Sequence, residues 1–222
     1  TLSSSSAASD VYKRQDVMHQ VLGAYRTTLV GERHPFAEYR YRHMARKVVG
    51  VGSVGTRAWV ILFSGRDDDD PLLLQAKEAQ ASVLERFLGP SEFDDHAERV
   101  VRGQRLMQAS SDIFLGWQSV IGLDGQHRDF YIRQLQDGKG GIDPETMTVR
   151  GATLYARICG ETLARAHSRS GDRVQIAGYL GRSETFEEAI ADFAVAYAEQ
   201  NDSDFRALVS YTHLTLPTKR IV

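Results

Sequence analysis

Two hydrophobic periods run along the chain. Residues 56–63 (TRAWVILF) and 72–79 (LLLQAKEA) are rich in β-branched, aromatic and aliphatic types and lack a helical polar face, so both read as strands. Between them, Arg66 to Pro71 with its four aspartates is a turn signal. Residues 112–121 (DIFLGWQSVI) and 128–135 (RDFYIRQL) read as two more strands, joined by the turn Gly122-Leu123-Asp124-Gly125. Residues 46–49 (RKVV) complete a set of five. Elsewhere the period is helical. Residues 16–30 carry Val17, Val21, Leu22, Tyr25 and Leu29 on one face, and residues 35–45 read as a second short helix with a proline in its first turn. Residues 80–88 and 93–108 predict two helices after the third strand, the first stopped by Gly89-Pro90. From Asp143 the pattern is helical throughout. Asp143-Pro144-Glu145 is a helix-start signature, Tyr155, Cys159, Leu163 and Ala166 share a face of residues 153–167, and residues 172–180 form a short helix stopped by Gly181. The capping box Thr185-Phe186-Glu187-Glu188 opens a long helix with Phe186, Ala189, Ile190, Phe193 and Tyr197 on one side.

The candidate chemistry lies between the first two strands. Gly50-Val51-Gly52-Ser53-Val54-Gly55 is a Gly-x-Gly-x-x-Gly run, whose backbone N–H groups can approach phosphate oxygens with no Cβ in the way. A dinucleotide-binding loop would have to open a helix, whereas a strand pattern follows Gly55. No Gly-Lys-Ser/Thr follows either, which removes a Walker loop. Two readings remain: a kinase-type glycine flap over nucleotide phosphates, or a glycine-rich hairpin without a ligand. Lys77, on the third strand, stands where a kinase-type fold keeps its phosphate-pairing lysine; its plain reading is an exposed strand lysine. Such a lysine needs a helix glutamate, for which Glu98 is the first candidate and Glu85 the second; each could equally be a solvated helix charge. The stretch after the fifth strand, Arg133 to Asp137, would then be the hinge beside the adenine. The fold class this predicts is α+β and protein-kinase-like: a five-stranded antiparallel N-lobe sheet with inserted helices, followed by a mostly helical partial C-lobe.

Composition narrows the setting. With 222 residues, 42% hydrophobic and 25% charged, the chain is that of a globular protein of one large domain or two lobes. A net charge of −2 offers nothing to bulk nucleic acid or to a membrane surface. Cys159 is the single cysteine, which excludes an intrachain disulfide and fits a reducing, cytoplasmic setting; it reads as a small core residue. The consecutive aspartates 67–70 read as a solvated turn, because neighbouring carboxylates on a tight turn do not converge on one ion. Phe36, Tyr39 and Tyr41 read as packing groups and His43 as a surface or hinge residue. His167 and Asp172 have the wrong spacing for a catalytic loop and read as a helix C-terminal histidine and a cap. The boundaries expected are a leader 1–15, a helical lead-in 16–45, the N-lobe 46–137, a helical C-lobe portion 138–209 and a tail 210–222. Leader and tail resemble translated adapter sequence and stand outside the fold reading.

The phrases ARKVVGVGSVGTRAWV (45–60), LLLQAKEAQASVLE (72–85), RVVRGQRLMQASSDIFLGW (99–117), DFYIRQL (129–135), LARAHSRSGD (163–172) and ADFAVAYAEQN (191–201) resemble a bacterial family of unknown function, the DUF2252 proteins. The resemblance implies a kinase-like fold related to aminoglycoside phosphotransferases. It also implies a Gly-Asp-x-His-x-x-Asn-type loop and an Asn-Asp-Phe-Asp-type segment upstream of the glycine run, supplying the catalytic aspartate and the magnesium ligands. Neither is present in this sequence, and where the family commonly has an aspartate His43 stands.

The function expected from all this is a fragment of a kinase-like, ATP-dependent phosphotransferase that keeps the nucleotide-binding lobe and is inactive alone. Gly50, Gly52, Ser53 and Gly55 would cap the phosphates, and Lys77 would pair with them, oriented by Glu98 or Glu85. ATP and Mg2+ would be cofactors of the full-length parent. The partners expected are a nucleotide and an unspecified phosphate acceptor, with no nucleic acid and no membrane. The alternative is a non-catalytic kinase-like binding module. A third reading, a dinucleotide-binding oxidoreductase, would require a helix directly after Gly55.

Overall fold

The computed structural model describes residues 21–31, 33–47, 55–122, 125–135 and 140–215. Gly50, Gly52 and Ser53 therefore lie outside the described residues, as do Asp137 and the segments 1–15 and 216–222. The chain divides into two compact units, Thr1–Ser170 and Gly171–Val222.

The first unit is built on five antiparallel strands: β1 (Arg40–Arg46), β2 (Ala58–Ser64), β3 (Pro71–Ala79), β4 (Gly116–Ile121) and β5 (His127–Gln134). Their order in the sheet is β1-β2-β3-β5-β4, which puts β3 at the centre between β2 and β5. The register follows from alternate burial. Leu72, Leu74 and Ala76 of β3 face Phe63, Ile61 and Trp59 of β2 on one side, and Ala76 faces Ile132 of β5 on the other. These side chains share one core with Tyr25, Leu29, Phe36, Phe114 and Phe130. Edge-to-face contacts bind its aromatic centre: Tyr25 to Phe36 at 5.2 Å and Phe36 to Phe63 at 5.1 Å between ring centroids.

One layer over this face comes from α1, whose described part is residues 21–27. It carries the fully buried Tyr25, whose hydroxyl donates to the Phe114 carbonyl. Gly116 makes the close approach possible. A Cβ there would lie 2.6 Å from Thr28 Oγ1 and 2.8 Å from a Tyr25 ring carbon, and Thr28 Oγ1 itself accepts from Trp117 N at 3.1 Å. The opposite face of the sheet is covered at the β4–β5 end by α3 (His96–Met107). Asp95 caps this helix, its Oδ1 accepting from Ala97 N and Glu98 N.

Several elements differ from the sequence expectation. The second short helix expected over residues 35–45 is a 3₁₀ turn, Pro35–Glu38, followed by β1. A register shift between Tyr41 and His43 turns Tyr41 and Met44 to the same core face; their i, i+3 spacing imitates a helix. The first strand accordingly starts at Arg40 rather than Arg46. The fourth starts at Gly116 rather than Asp112, because Asp112 Oδ1 accepts from Phe114 N and folds residues 112–115 into a turn. The four aspartates do form the β2–β3 turn, closed by Gly65 N to the Asp70 carbonyl at 2.8 Å. After Gly55, with φ at +84°, the chain enters β2 at Ala58, so the helix that a dinucleotide-binding oxidoreductase requires is not there.

α2 (Glu85–Leu88) is a single turn. Asp143 caps another 3₁₀ turn, Pro144–Thr146, and α4 (Val149–Ser170) starts separately, with Thr148 Oγ1 accepting from Gly151 N. α4 buries none of its residues. Cys159, expected in a core, is half-buried.

The second unit comprises α5 (Arg173–Leu180) and α6 (Thr185–Thr215). Asp172 caps α5 through Val174 N and Gln175 N, as expected. α6 begins at the predicted box and continues through residues 210–215, past the boundary expected at 209.

Two predictions follow from the packing around Tyr25. Gly116→Ala should cost about 1–3 kcal/mol, because the methyl group must displace a buried ring and a bonded hydroxyl; urea unfolding measures it. Burial, and secondarily the Asp112 carboxylate, push the Tyr25 phenol well above its ordinary value of 10.0, with Arg105 opposing. The unfolded phenol therefore ionises first as pH rises, and the folded state loses stability above about pH 10. Tyr25→Phe should lower stability by about 1–3 kcal/mol at neutral pH, through the Phe114 carbonyl left without its donor. The gap from the parent chain should narrow above about pH 10 in urea titrations at both pH values.

Candidate functional site

The alternation that buries Leu72, Leu74 and Ala76 sends Gln75, Lys77 and Ala79 to the opposite face. Lys77 is half-buried there, between Ala58 of β2 and Tyr131 of β5. Three further residues of β4 and β5 share this face, and they hold α3 against it. Ser119 Oγ lies 2.6 Å from Asp95 Oδ2 and 2.8 Å from Asp129 Oδ1. His96 N donates to Asp129 Oδ2 at 2.9 Å. The guanidinium groups of Arg102 and Arg105 stand over the Trp117 ring, 5.4 and 5.7 Å from its centroid. Arg105 reaches further, donating to the carbonyls of Thr28 and Leu115. Burial, then Arg102, lower its pKa.

The two glutamates proposed for Lys77 occupy different settings. Glu98 lies in the first turn of α3, on the helix that covers Lys77's face, and its carboxylate pairs with Arg102 at 3.1 Å. Glu85 lies at the start of α2, where Oε1 accepts from Ser82 N at 3.0 Å, closing its own turn. Gly55 ends the glycine run with a positive φ, two residues before Arg57.

Glu78 is the residue that sequence reasoning passed over. Its side chain is 9% exposed and faces the core side of the sheet, opposite to Lys77. It accepts from Arg57 N at 3.0 Å and from Arg57 Nη1 at 3.3 Å, and Arg128 Nε lies 3.9 Å away. With the backbone bond Glu78 N to the Arg57 carbonyl, it fastens the start of β2 directly after the glycine run. The signal was present: strands joined by the short turn at 65–70 must bring residue 57 opposite residue 78, and those two carry opposite charge.

Two clefts among the described residues of this unit bear on the site. The larger, about 480 Å³, lies beside α1 and the Pro35–Glu38 turn and is lined by Arg26, Arg33, His34 and Phe36 among others. His34 is already engaged there, Nδ1 accepting from Phe36 N and Nε2 lying 2.8 Å from the Ile113 carbonyl. The smaller, about 380 Å³, lies between the C-terminal half of α3 and β5 and is lined by Gln104, Gln108, Ser110, Ser111, Asp112, Leu115 and Arg133. Neither is lined by Lys77 or Gly55. Arg133 stands on the Lys77 face of β5, two residues from the one paired with Lys77. Burial pushes the Tyr131 phenol up, and the Arg133 cation pulls it back.

Among the described residues no three His, Cys, Asp or Glu side chains converge as a metal ion would require. None of their helices is long and apolar enough to cross a membrane.

No curated protein and no solved structure matches the chain. A family described as "Uncharacterized protein conserved in bacteria (DUF2252)" does, over residues 4–211. With that match spanning nearly its whole length, the chain belongs to the DUF2252 family.

Proposed function

We propose that the chain is the nucleotide-binding part of a kinase-like, ATP-dependent phosphotransferase and is inactive by itself. The observation that carries this reading is the placement of Lys77. It is half-buried on the central strand, beside the strand that follows the glycine run, on the face that α3 covers. A cation in such a position is screened less than a surface lysine and acts more strongly on a phosphate. The insertion of α2 and α3 after the third strand supports the same reading.

In this scheme Gly50, Gly52, Ser53 and Gly55 cover the phosphates, and Lys77 neutralises them. Glu98 is the better placed of the two glutamates to orient Lys77, since it rides on the helix packed over that face, whereas Glu85 is tied into α2. Phosphoryl transfer rests on positioning and charge neutralisation. The described residues do not fit a magnesium site, so its ligands, like the catalytic aspartate, would come from other segments. ATP would therefore bind without being turned over.

Calorimetry with the full chain tests this. ATP should bind saturably, and Lys77→Met should weaken it about tenfold or more, the expected loss for a charge-assisted phosphate contact. Phosphate release from ATP should stay at background for both chains. Absence of ATP binding to the parent chain would instead favour a non-catalytic binding module. Release that disappears on Lys77→Ala would overturn the statement that the chain is inactive.

A further inference from the structure

We propose that the cleft between the C-terminal half of α3 and β5 is an oxyanion site, taking a small molecule that carries a phosphate or carboxylate group, with Arg133 as its ion-pair partner. The cleft's volume of about 380 Å³ suits a small-molecule ligand. Four observations point to an anion.

Arg133 is half-buried and lines the cleft, and among the described residues no side-chain hydrogen bond or ion pair holds its guanidinium. A guanidinium removed from part of its water without a carboxylate partner is a standing invitation to a planar or tetrahedral oxyanion, which it can bind through two parallel N–H groups. Ser111 Oγ, on the same lining, is buried without a partner. Such a hydroxyl costs stability unless a ligand or water meets it. The side-chain amides of Gln104 and Gln108 and the hydroxyl of Ser110 add further donors on the same wall. Asp112 is the one carboxylate on the rim, and its two oxygens are already occupied by backbone donors, Phe114 N at 2.9 Å and Gln134 N at 2.6 Å. Its charge is thus partly met from within, and the cation is left to the ligand.

Arg133, expected to begin the hinge beside the adenine, lies within the strand rather than after it, since β5 runs through Gln134. Lys77 does not line the cleft, although it stands on the same face of the sheet, diagonal to Arg133 across the β3–β5 pair. Diagonal neighbours of this kind lie about 7–8 Å apart at the backbone, so the two cations can be told apart by substitution.

The experiment titrates the full chain with inorganic phosphate in one arm and with malonate in the other, followed by calorimetry and by amide shifts of α3 and β5. Saturable binding is expected in at least one arm, and the tighter arm identifies the group the site was built for. Arg133→Gln should weaken it about tenfold or more, and Ser111→Ala by a smaller factor. Gln104→Glu should also abolish binding, by placing a carboxylate within the cleft beside Arg133; this variant carries the test if Arg133→Gln melts early. Lys77→Met should weaken binding by a smaller factor than Arg133→Gln, since Lys77 stands on the same face but does not line the cleft. Binding that survives both Arg133→Gln and Gln104→Glu, or that disappears with Lys77→Met alone, would overturn the assignment. So would the absence of saturable binding in both arms.

Discussion

Because every second residue of β3 has to bury against the aromatic cluster, the residues between them have to face α3, and that obligation places Lys77. Leu72, Leu74 and Ala76 pack on Phe63, Ile61, Trp59 and Ile132. Each buried leucine contributes about 1.5–3 kcal/mol. A one-residue slip would expose all three and drive Gln75 and Lys77 into the aromatics. The cost of such a slip exceeds anything a single surface ion pair could return. The side chain at position 77 is therefore aimed by its neighbours' hydrophobicity, whatever its own partner.

The two faces of the sheet are held by different chemistry. On the core side the contacts around Tyr25 and Phe36 are apolar and aromatic, with Gly116 allowing Tyr25 and Thr28 to come close, and they turn ionic at the Glu78 end of β3. On the other side α3 buries Ala97 and Val101 and is also tied by polar groups: Asp95 caps the helix with one oxygen and meets Ser119 with the other, and Asp129 accepts from His96 N. Directional bonds fix the helix's position along the strands in a way that apolar packing alone does not. That fixed position is what puts the first turn of α3, with Glu98, over the Lys77 face. It also leaves the cleft at the other end of the helix, beside Arg133.

The end of β3 shows how closely the two faces are coupled. Glu78 and Lys77 are adjacent in sequence and point to opposite sides. Glu78 is gripped by Arg57 and neighboured by Arg128 on the core side. The strand end is thereby pinned where β2 leaves the glycine run, and the backbone at position 77 is held by the same contacts.

What the sequence determined by itself was whatever rests on local pattern. β2, β3 and β5 were legible because their apolar runs are bounded by turns, Asp172 announced α5 through a cap that acts within three residues, and the Thr185-Phe186-Glu187-Glu188 pattern marked where α6 begins. β1 was not legible, since its register shift gives Tyr41 and Met44 a helical spacing, and a bulge is recognised only against the strand beside it. The start of β4 was hidden for a related reason: Asp112 bonds both to Phe114 N nearby and to Gln134 N on a strand 22 residues away. Lys77 could be named from its strand. Glu78's two arginines, the docking of α3 through Ser119 and Asp129, and the unpartnered Arg133 were decided by the tertiary structure alone, because each depends on which strands become neighbours. Strand order places β5 between β3 and β4, and no local preference encodes that choice.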